Sequence, residues 1–165
     1  ETARIAVQAS LTGHMVLSTL HTNTAVGAVT RLRDMGVEPF LLSSSLNAVL
    51  AQRLVRVLCP ECKRPYVAQA SDCDVLGIVT DQAPTLYEPV GCSSCNGIGY
   101  RGRIGLYELI VIDETLRGMI HDGASEQEME QQARQHTNGI REEGRRLVLS
   151  GSTSLEEVLR VTRED

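Results

Sequence analysis

Cys59-Pro60-Glu61-Cys62 and Cys92-Ser93-Ser94-Cys95 are the two short runs from which this chain is read outward. A Cys-x-x-Cys turn sets both sulfurs on one side of a tight knuckle. Two knuckles supply the four thiolates of a tetrahedral structural zinc site, with Zn–S distances of about 2.3 Å. Four thiolates leave such a centre negatively charged and without an open position for substrate, so this metal is expected to hold structure and not to catalyse. Lys63, Arg64, Arg101 and Arg103 flank the knuckles in sequence, where they can offset that charge. Residues 63–91 form a longer spacer than the commonest zinc ribbon, which predicts a small folded excursion between the pairs. A pair of disulfides and a redox dithiol are the other readings of the four cysteines. Cys73, inside the spacer, has no partner in the pattern and reads as a buried or free thiol.

Composition bounds the rest. A chain of 165 residues suits one ordinary domain, or a partial domain carrying a small module, and buries roughly 70% of its unfolded surface. With one Phe and no Trp, its core must be built of Leu, Val, Ile, Ala and Met, which favours helix-on-sheet layers. Sixteen Lys and Arg against 21 Asp and Glu give a net charge of −5 and a pI near 5.4. That balance argues against a general nucleic-acid binder, and the scarcity of aromatics leaves little for base stacking. No apolar run approaches the roughly 18 residues of a membrane helix, and no signal-peptide pattern is visible. The expectation is a cytoplasmic, reducing setting. The chain opens at Glu1, without Met, directly in a helical pattern, which reads as a piece of something longer.

Along the chain, Ile5, Ala6 and Ala9 are spaced for a short amphipathic helix stopped near Gly13. The compact apolar run Met15 to Leu20 reads as a buried, parallel-type strand. Thr24 can cap a second helix carrying Ala25, Ala28, Val29 and Leu32 and ended by Gly36. Pro39 opens a third, with Leu42, Leu46, Val49, Leu50 and Leu54 as its buried stripe. Helix, buried strand, helix is the grammar of an open α/β sheet. After the second knuckle Ile104 to Ile112 reads as a strand. Asp113 then caps a helix holding Leu116, Met119 and Ile120. Ser125-x-x-Glu128 and Ser154-x-x-Glu157 are capping boxes, and Ile140, Leu147, Val148 and Leu149 make an apolar face closed by Gly151. The charged residues of this last third, Glu126, Glu128, Glu130, Glu142, Glu143, Arg145 and Arg146 among them, read as a solvated face. The only linker-like stretch is Ala70 to Pro89.

The polar groups at the ends of the Met15–Leu20 run hold the remaining chemistry: His14 at its start, and Ser18-Thr19-Leu20-His21 at its finish. Seven steps of regular strand span about 23 Å, so both histidines cannot touch one small ligand. Ligands of open α/β sheets sit beyond the carboxyl ends of the strands, which favours Thr19 and His21 over His14. Their role there would be to sense or orient a terminal phosphate and its attacking water by hydrogen bonding. The bland alternative has His21 and Thr22 capping the next helix and His14 satisfying a buried carbonyl.

The run Leu11-Thr-Gly-His-Met-Val-Leu-Ser-Thr-Leu-His-Thr-Asn23 resembles the histidine box of the secretion ATPase superfamily, which drives type II secretion and type IV pili. Val49-Leu-Ala-Gln-Arg-Leu-Val-Arg56, the tetracysteine module, Gly99-Tyr-Arg-Gly-Arg-Ile-Gly-Leu-Tyr-Glu108 and Ser154-Leu-Glu-Glu-Val-Leu-Arg-Val-Thr162 extend the resemblance to the type II secretion ATPases over essentially the whole chain. It implies the C-terminal part of an α/β, RecA-like P-loop ATPase domain (1–58), an inserted tetracysteine zinc module (59–97) and a small helical C-terminal subdomain (98–165). It also implies a homohexameric cytoplasmic motor, peripheral on the inner membrane, docked on an assembly-platform protein. There ATP hydrolysis with Mg2+ would be coupled to pseudopilus growth. Type IV pilus assembly is the nearest alternative within the superfamily, and a zinc-braced interaction module without catalysis is the alternative from another class.

One departure is large. No G-x-x-x-x-G-K-[S/T] loop occurs, and no acidic-ended apolar strand precedes the histidine box. Without that loop's N–H groups and lysine, ATP phosphates have no cradle, so the chain alone is expected not to hydrolyse ATP. The resemblance also makes Arg103 a candidate to reach nucleotide; packing on the zinc module or pairing with an acidic neighbour is its ordinary alternative. Arg53 and Arg56 are open in the same way, at the end of the third predicted helix.

Overall fold

The computed structural model describes residues 1–22, 24–79 and 82–162. Asn23, the last residue of the histidine-box run, and Thr80 and Asp81 of the linker-like stretch lie outside them. The chain divides into two compact units that alternate along the sequence: Glu1–Ala51 with Glu108–Thr137, and Gln52–Tyr107 with Asn138–Asp165.

The first unit is built mainly of helices. These are α1 (Thr2–Leu11), α2 (Gly27–Asp34) and α3 (Pro39–Ser45), joined after a long interval by α5 (Glu114–His121) and α6 (Glu126–Ala133), with α4 (Ala70–Leu76) lying in the other unit. α1 turns Val7 inward while Ile5 is 61% exposed, so its buried face differs from the one centred on Ile5. Thr24 accepts from Gly27 N–H at 2.9 Å at the start of α2, and Gly36, at φ +80°, follows its end. Asp113 accepts from Leu116 N–H at 2.8 Å, and Ser125 and Glu128 exchange capping bonds as their spacing requires. The core gathers Val7, Val26, Val29 and Leu42 from the early segment with Ile110, Ile112, Leu116, Ile120 and Met129 from the late one.

Two expectations fail in this unit. Met15 to Leu20 is no buried strand: the run is irregular, and Met15 and Leu17 are 88% and 86% exposed. A strand buried on both faces needs neighbours on both edges, and no described residue pairs with this one. Nor does the third helix continue. α3 stops at Ser45, and Ala48–Leu58 is a strand, β1. Leu50 and Leu54 fit a helical stripe and an alternating strand equally well; the β-branched Val49, Val55 and Val57 decide it. In the strand Leu50 and Leu54 face outward, while Val55 is fully buried.

The second unit holds β2 (Arg64–Val67), α4 (Ala70–Leu76) and β3 (Thr85–Glu88), then α7 (Ile140–Leu149) and α8 (Leu155–Thr162). The spacer between the cysteine pairs is thus folded, as its length requires. β2 and β3 pair antiparallel, Arg64 opposite Glu88 and Val67 opposite Thr85. β4 (Tyr100–Val111) begins four residues earlier than the strand read from the sequence and forms a two-stranded sheet with β1. The core is Val55, Leu86, Leu106, Leu147, Val148, Leu155 and Val158. α7 and α8 approach closely because position 144 is Gly: a Cβ there would lie 2.5 Å from Val158 Cγ1. Of the expected apolar face of α7, Leu147 and Val148 are buried and Leu149 is 40% exposed. Among the described residues no helix is long and apolar enough to cross a membrane.

Candidate functional site

The first knuckle forms where β1 ends. Cys62 and Lys63 N–H both donate to Cys59 O, at 3.3 and 3.0 Å, which folds the Cys-Pro-Glu-Cys turn back on itself. The second is a 3-10 turn over Ser93–Cys95, followed by Asn96 and Gly97 at φ 52° and 76°. Gly97 N–H donates to Cys92 O at 2.8 Å. The left-handed backbone at Asn96 and Gly97 is tolerated by those residue types and turns the chain back toward the first knuckle. Gly99 joins the two knuckles. Its carbonyl accepts from Cys59 N–H at 2.9 Å and its N–H donates to Cys95 Sγ at 3.1 Å.

The four sulfurs converge. Sγ atoms of Cys59 and Cys92 are 3.9 Å apart, and those of Cys62 and Cys95, and of Cys92 and Cys95, 3.8 Å. All four lie within 4.8 Å of one another, and all are free thiols. A tetrahedron with metal–sulfur bonds of about 2.3 Å has edges of about 3.8 Å, so the donor set fits a metal ion such as zinc. Sulfurs bonded to each other would sit at about 2.05 Å, which sets the disulfide reading aside. Backbone N–H groups point at the sulfurs as thiolates need: Gly91 to Cys62 at 3.3 Å, Cys92 to Cys95 at 3.2 Å. The N–H of Cys92, with that of Gly99, draws the Cys95 thiol down to about 6. Burial pushes Cys62 up to about 11. One thiol is therefore ready to ionise, and another requires a cation to do so.

The flanking cations are used differently from one another. Lys63 Nζ donates to Gly151 O at 2.8 Å and stacks 4.5 Å above the Tyr87 ring; Arg64 pairs with Glu88 across β2 and β3. Arg101 and Arg103 are exposed on β4, and Arg103 meets no carboxylate among the described residues. Cys73 is half-buried on α4, away from the cluster.

His14, Thr19 and His21 are all exposed in the irregular segment of the first unit. His14 Nδ1 lies 3.2 Å from Thr12 Oγ1 and 3.3 Å from Ala9 O, at the end of α1. It is the side chain of Thr24, and not that of His21, that accepts from an N–H at the start of α2, that of Gly27.

The model of the type II/IV secretion system proteins matches residues 1–160. The chain belongs to that family. It is 62% identical over 165 residues to the type II secretion system protein E of Pseudomonas aeruginosa, covering all of this chain and 33% of that protein. It is 59% identical over 164 residues to the type II secretion system ATPase E of Vibrio cholerae, covering 99% and 33%. It therefore spans about a third of the length of these curated relatives. In fold it resembles the crystal structure of the pilus retraction motor PilT with bound ADP, at a TM-score of 0.60 and 19% identity over 99% of this chain and 36% of that one.

This secretion-family chain also carries a buried charged group whose part is larger than that of a capping residue. Glu157 is fully buried on α8. Its N–H donates the expected capping bond to Ser154 Oγ at 3.2 Å, but its carboxylate is turned to other partners. It accepts from Arg56 N–H at 3.0 Å, from the Arg56 guanidinium at 2.6 Å and from Arg160 at 2.7 Å. Arg56, placed in β1 and not at a helix end, lies 4.1 Å over the Tyr100 ring, whose hydroxyl meets Ser154 Oγ at 2.6 Å. One sequence signal was present: Glu157 falls four residues before Val161, on the inward face of its helix. Glu126 and Glu130, read as a solvated face, are half-buried and bonded to Thr24 and Arg134 respectively.

Proposed function

We propose that this chain is the C-terminal part of a secretion ATPase that powers type II protein secretion, with a structural zinc ion held by Cys59, Cys62, Cys92 and Cys95. The observation that carries this reading is 62% identity across the entire chain to a type II secretion system protein E. A relative at 59% is named an ATPase. In the complete protein, ATP and Mg2+ would be held by a phosphate loop and an acidic strand end that this sequence does not contain. Thr19 and His21, with His14 as a further candidate, would face the terminal phosphate through hydrogen bonds, and Arg103 would reach the nucleotide from β4. Zinc supplies a fixed cross-link between the knuckles, and its four thiolates leave no position for substrate. The motor is a homohexamer on the cytoplasmic side of the inner membrane, bound to an assembly-platform protein and coupled to pseudopilus growth.

The test compares ATP turnover by the full-length protein and by the purified 165-residue chain. The full-length protein is expected to hydrolyse ATP and the chain to stay at the no-protein blank. Turnover by the chain would refute the division of labour, and none by the folded full-length hexamer would refute the ATPase reading.

A further inference from the structure

The junction between the histidine segment and α2 is tied to α6 by a side-chain bridge of its own. Thr22 Oγ1 donates to Thr24 O at 2.9 Å. Thr24 Oγ1 accepts from Gly27 N–H at 2.9 Å and donates to Glu126 Oε1 at 2.6 Å. A threonine hydroxyl has one proton, and here it is committed to a carboxylate in the first turn of α6. The remaining lone pairs then point where the cap of α2 needs an acceptor. The fit is tight: a Cβ at position 27 would lie 2.8 Å from Thr24 Oγ1 and 3.1 Å from Glu126 Oε1. The far end of α2 is fastened to the same region, since Arg33 donates to Ala124 O at 2.9 Å and to Gly123 O at 3.3 Å. α2 is thus clamped at both ends, while Met15, Leu17, Thr19 and His21 before it stand exposed. Among the described residues, the Thr24 hydroxyl and the Glu126 carboxylate that holds it tie the C-terminal end of that segment to α6.

We propose that Glu126 is a positioning residue for His21. Through Thr24 it fixes the point at which the segment bearing Thr19 and His21 enters α2. The inference rests on the reading of those two residues as nucleotide-facing. Glu126 acts by holding the hydroxyl orientation of Thr24, so its contribution belongs to turnover and not to binding. Glutamine at 126 keeps an acceptor oxygen for Thr24, and alanine does not.

The experiment uses the full-length hexamer and measures kcat and KM for ATP, with the unfolding midpoint and oligomeric state as controls. Glu126→Ala is expected to lower kcat about tenfold with KM changed less than about twofold, a drop of about 1.4 kcal/mol in transition-state stabilisation. Glu126→Gln is expected to return kcat to within about twofold of the parent. If Glu126→Ala does not fold, Thr24→Ser and Thr24→Val decide: serine retains both hydrogen bonds and should retain kcat, valine retains neither and should lose it. Parental kcat in Glu126→Ala, or equal kcat in the two Thr24 variants, overturns the positioning role. His21→Ala at parental turnover overturns the reading beneath it, whereas loss of turnover in His21→Ala beside parental kcat in Glu126→Ala sinks the positioning role alone.

Discussion

Glu157 grips Arg56 from two directions, its carboxylate accepting from the backbone N–H at 3.0 Å and from the guanidinium at 2.6 Å. A fully buried carboxylate is stable only when its lone pairs are filled, and here Arg160 fills the rest at 2.7 and 3.0 Å. Thr153 Oγ1 donates to Arg56 O at 2.8 Å, and Leu58 N–H to Ser152 O at 2.9 Å. The turn before α8 is therefore laced to the last residues of β1, just ahead of Cys59.

Glu157→Ala would strip Arg56 N–H and its guanidinium of that acceptor, with an expected loss of about 3 kcal/mol in denaturant unfolding. Burial works to raise the Glu157 carboxyl, but the hydrogen bonds from Arg160 and Arg56 outweigh it and hold the group at about 2, below its ordinary 4.5. A depressed carboxyl stabilises the fold fully above its unfolded value and loses that contribution as pH falls through its folded one. Between pH 4.5 and 2 the unfolding midpoint of the parent should therefore drop more steeply than that of Glu157→Gln. Parallel slopes would mean the carboxylate is not the group titrating.

Removing the metal should cost more than any single side chain. Structural zinc contributes on the order of 10 kcal/mol in small sites, so a strong chelator is expected to lower the unfolding midpoint of the isolated chain sharply. Metal analysis of the purified protein should give one zinc per chain for the parent and for Cys73→Ser, and less than one for Cys95→Ser. Full zinc content in Cys95→Ser would place the ion elsewhere.

Gly99 is at φ +82°, and a Cβ there would lie 2.5 Å from Pro89 Cβ. Both the backbone and the space forbid a side chain, and the same residue donates to Cys95 Sγ. Gly99→Ala should lose about 1–3 kcal/mol of stability and bind zinc more weakly in a competition titration. Gly102→Ala is the comparison, since its φ is also +82° but nothing lies within 4 Å of the added Cβ; equal zinc affinity in the two would remove the role of the close approach.

Arg103, exposed on β4, should be replaceable without loss of fold. In the full-length protein Arg103→Ala is expected to weaken nucleotide affinity about tenfold in a fluorescent-nucleotide titration, with an unchanged unfolding midpoint. Unaltered affinity would return this arginine to the surface of the zinc module.

Local chemistry was what the sequence displayed well. The knuckles, the hydroxyl of Thr24, Asp113 and the Ser125–Glu128 box act over three or four residues, and all form as their spacing requires. In β1, Leu50 and Leu54 satisfy both the helical and the strand period, and the choice of strand rests on pairing with β4 some fifty residues away. Met15 to Leu20 has the composition of a buried strand, but burial is a property of neighbours, and the described residues supply none. The burial of Glu157 is hidden for the same reason: Arg160 lies three residues on, but Arg56, which fills the rest of its lone pairs, is about a hundred residues earlier. His14, Thr19 and His21 were legible as a motif, whereas the carboxylate holding the end of their segment was not, since Glu126 in sequence is one acid among many.

The alternation of the two units sets an order of events on the ribosome. Val7, Val26, Val29 and Leu42 emerge early, but their core is closed by Ile110, Ile112, Leu116, Ile120 and Met129. Between them the ribosome must make β2, α4, β3 and both knuckles, a matter of several seconds at about 5–20 residues per second. All four cysteines are thus in hand, and able to capture their ion, while the apolar side chains of the first segment still wait for their partners. The cysteine cluster of the second unit is therefore complete in sequence before the core of the first unit can close.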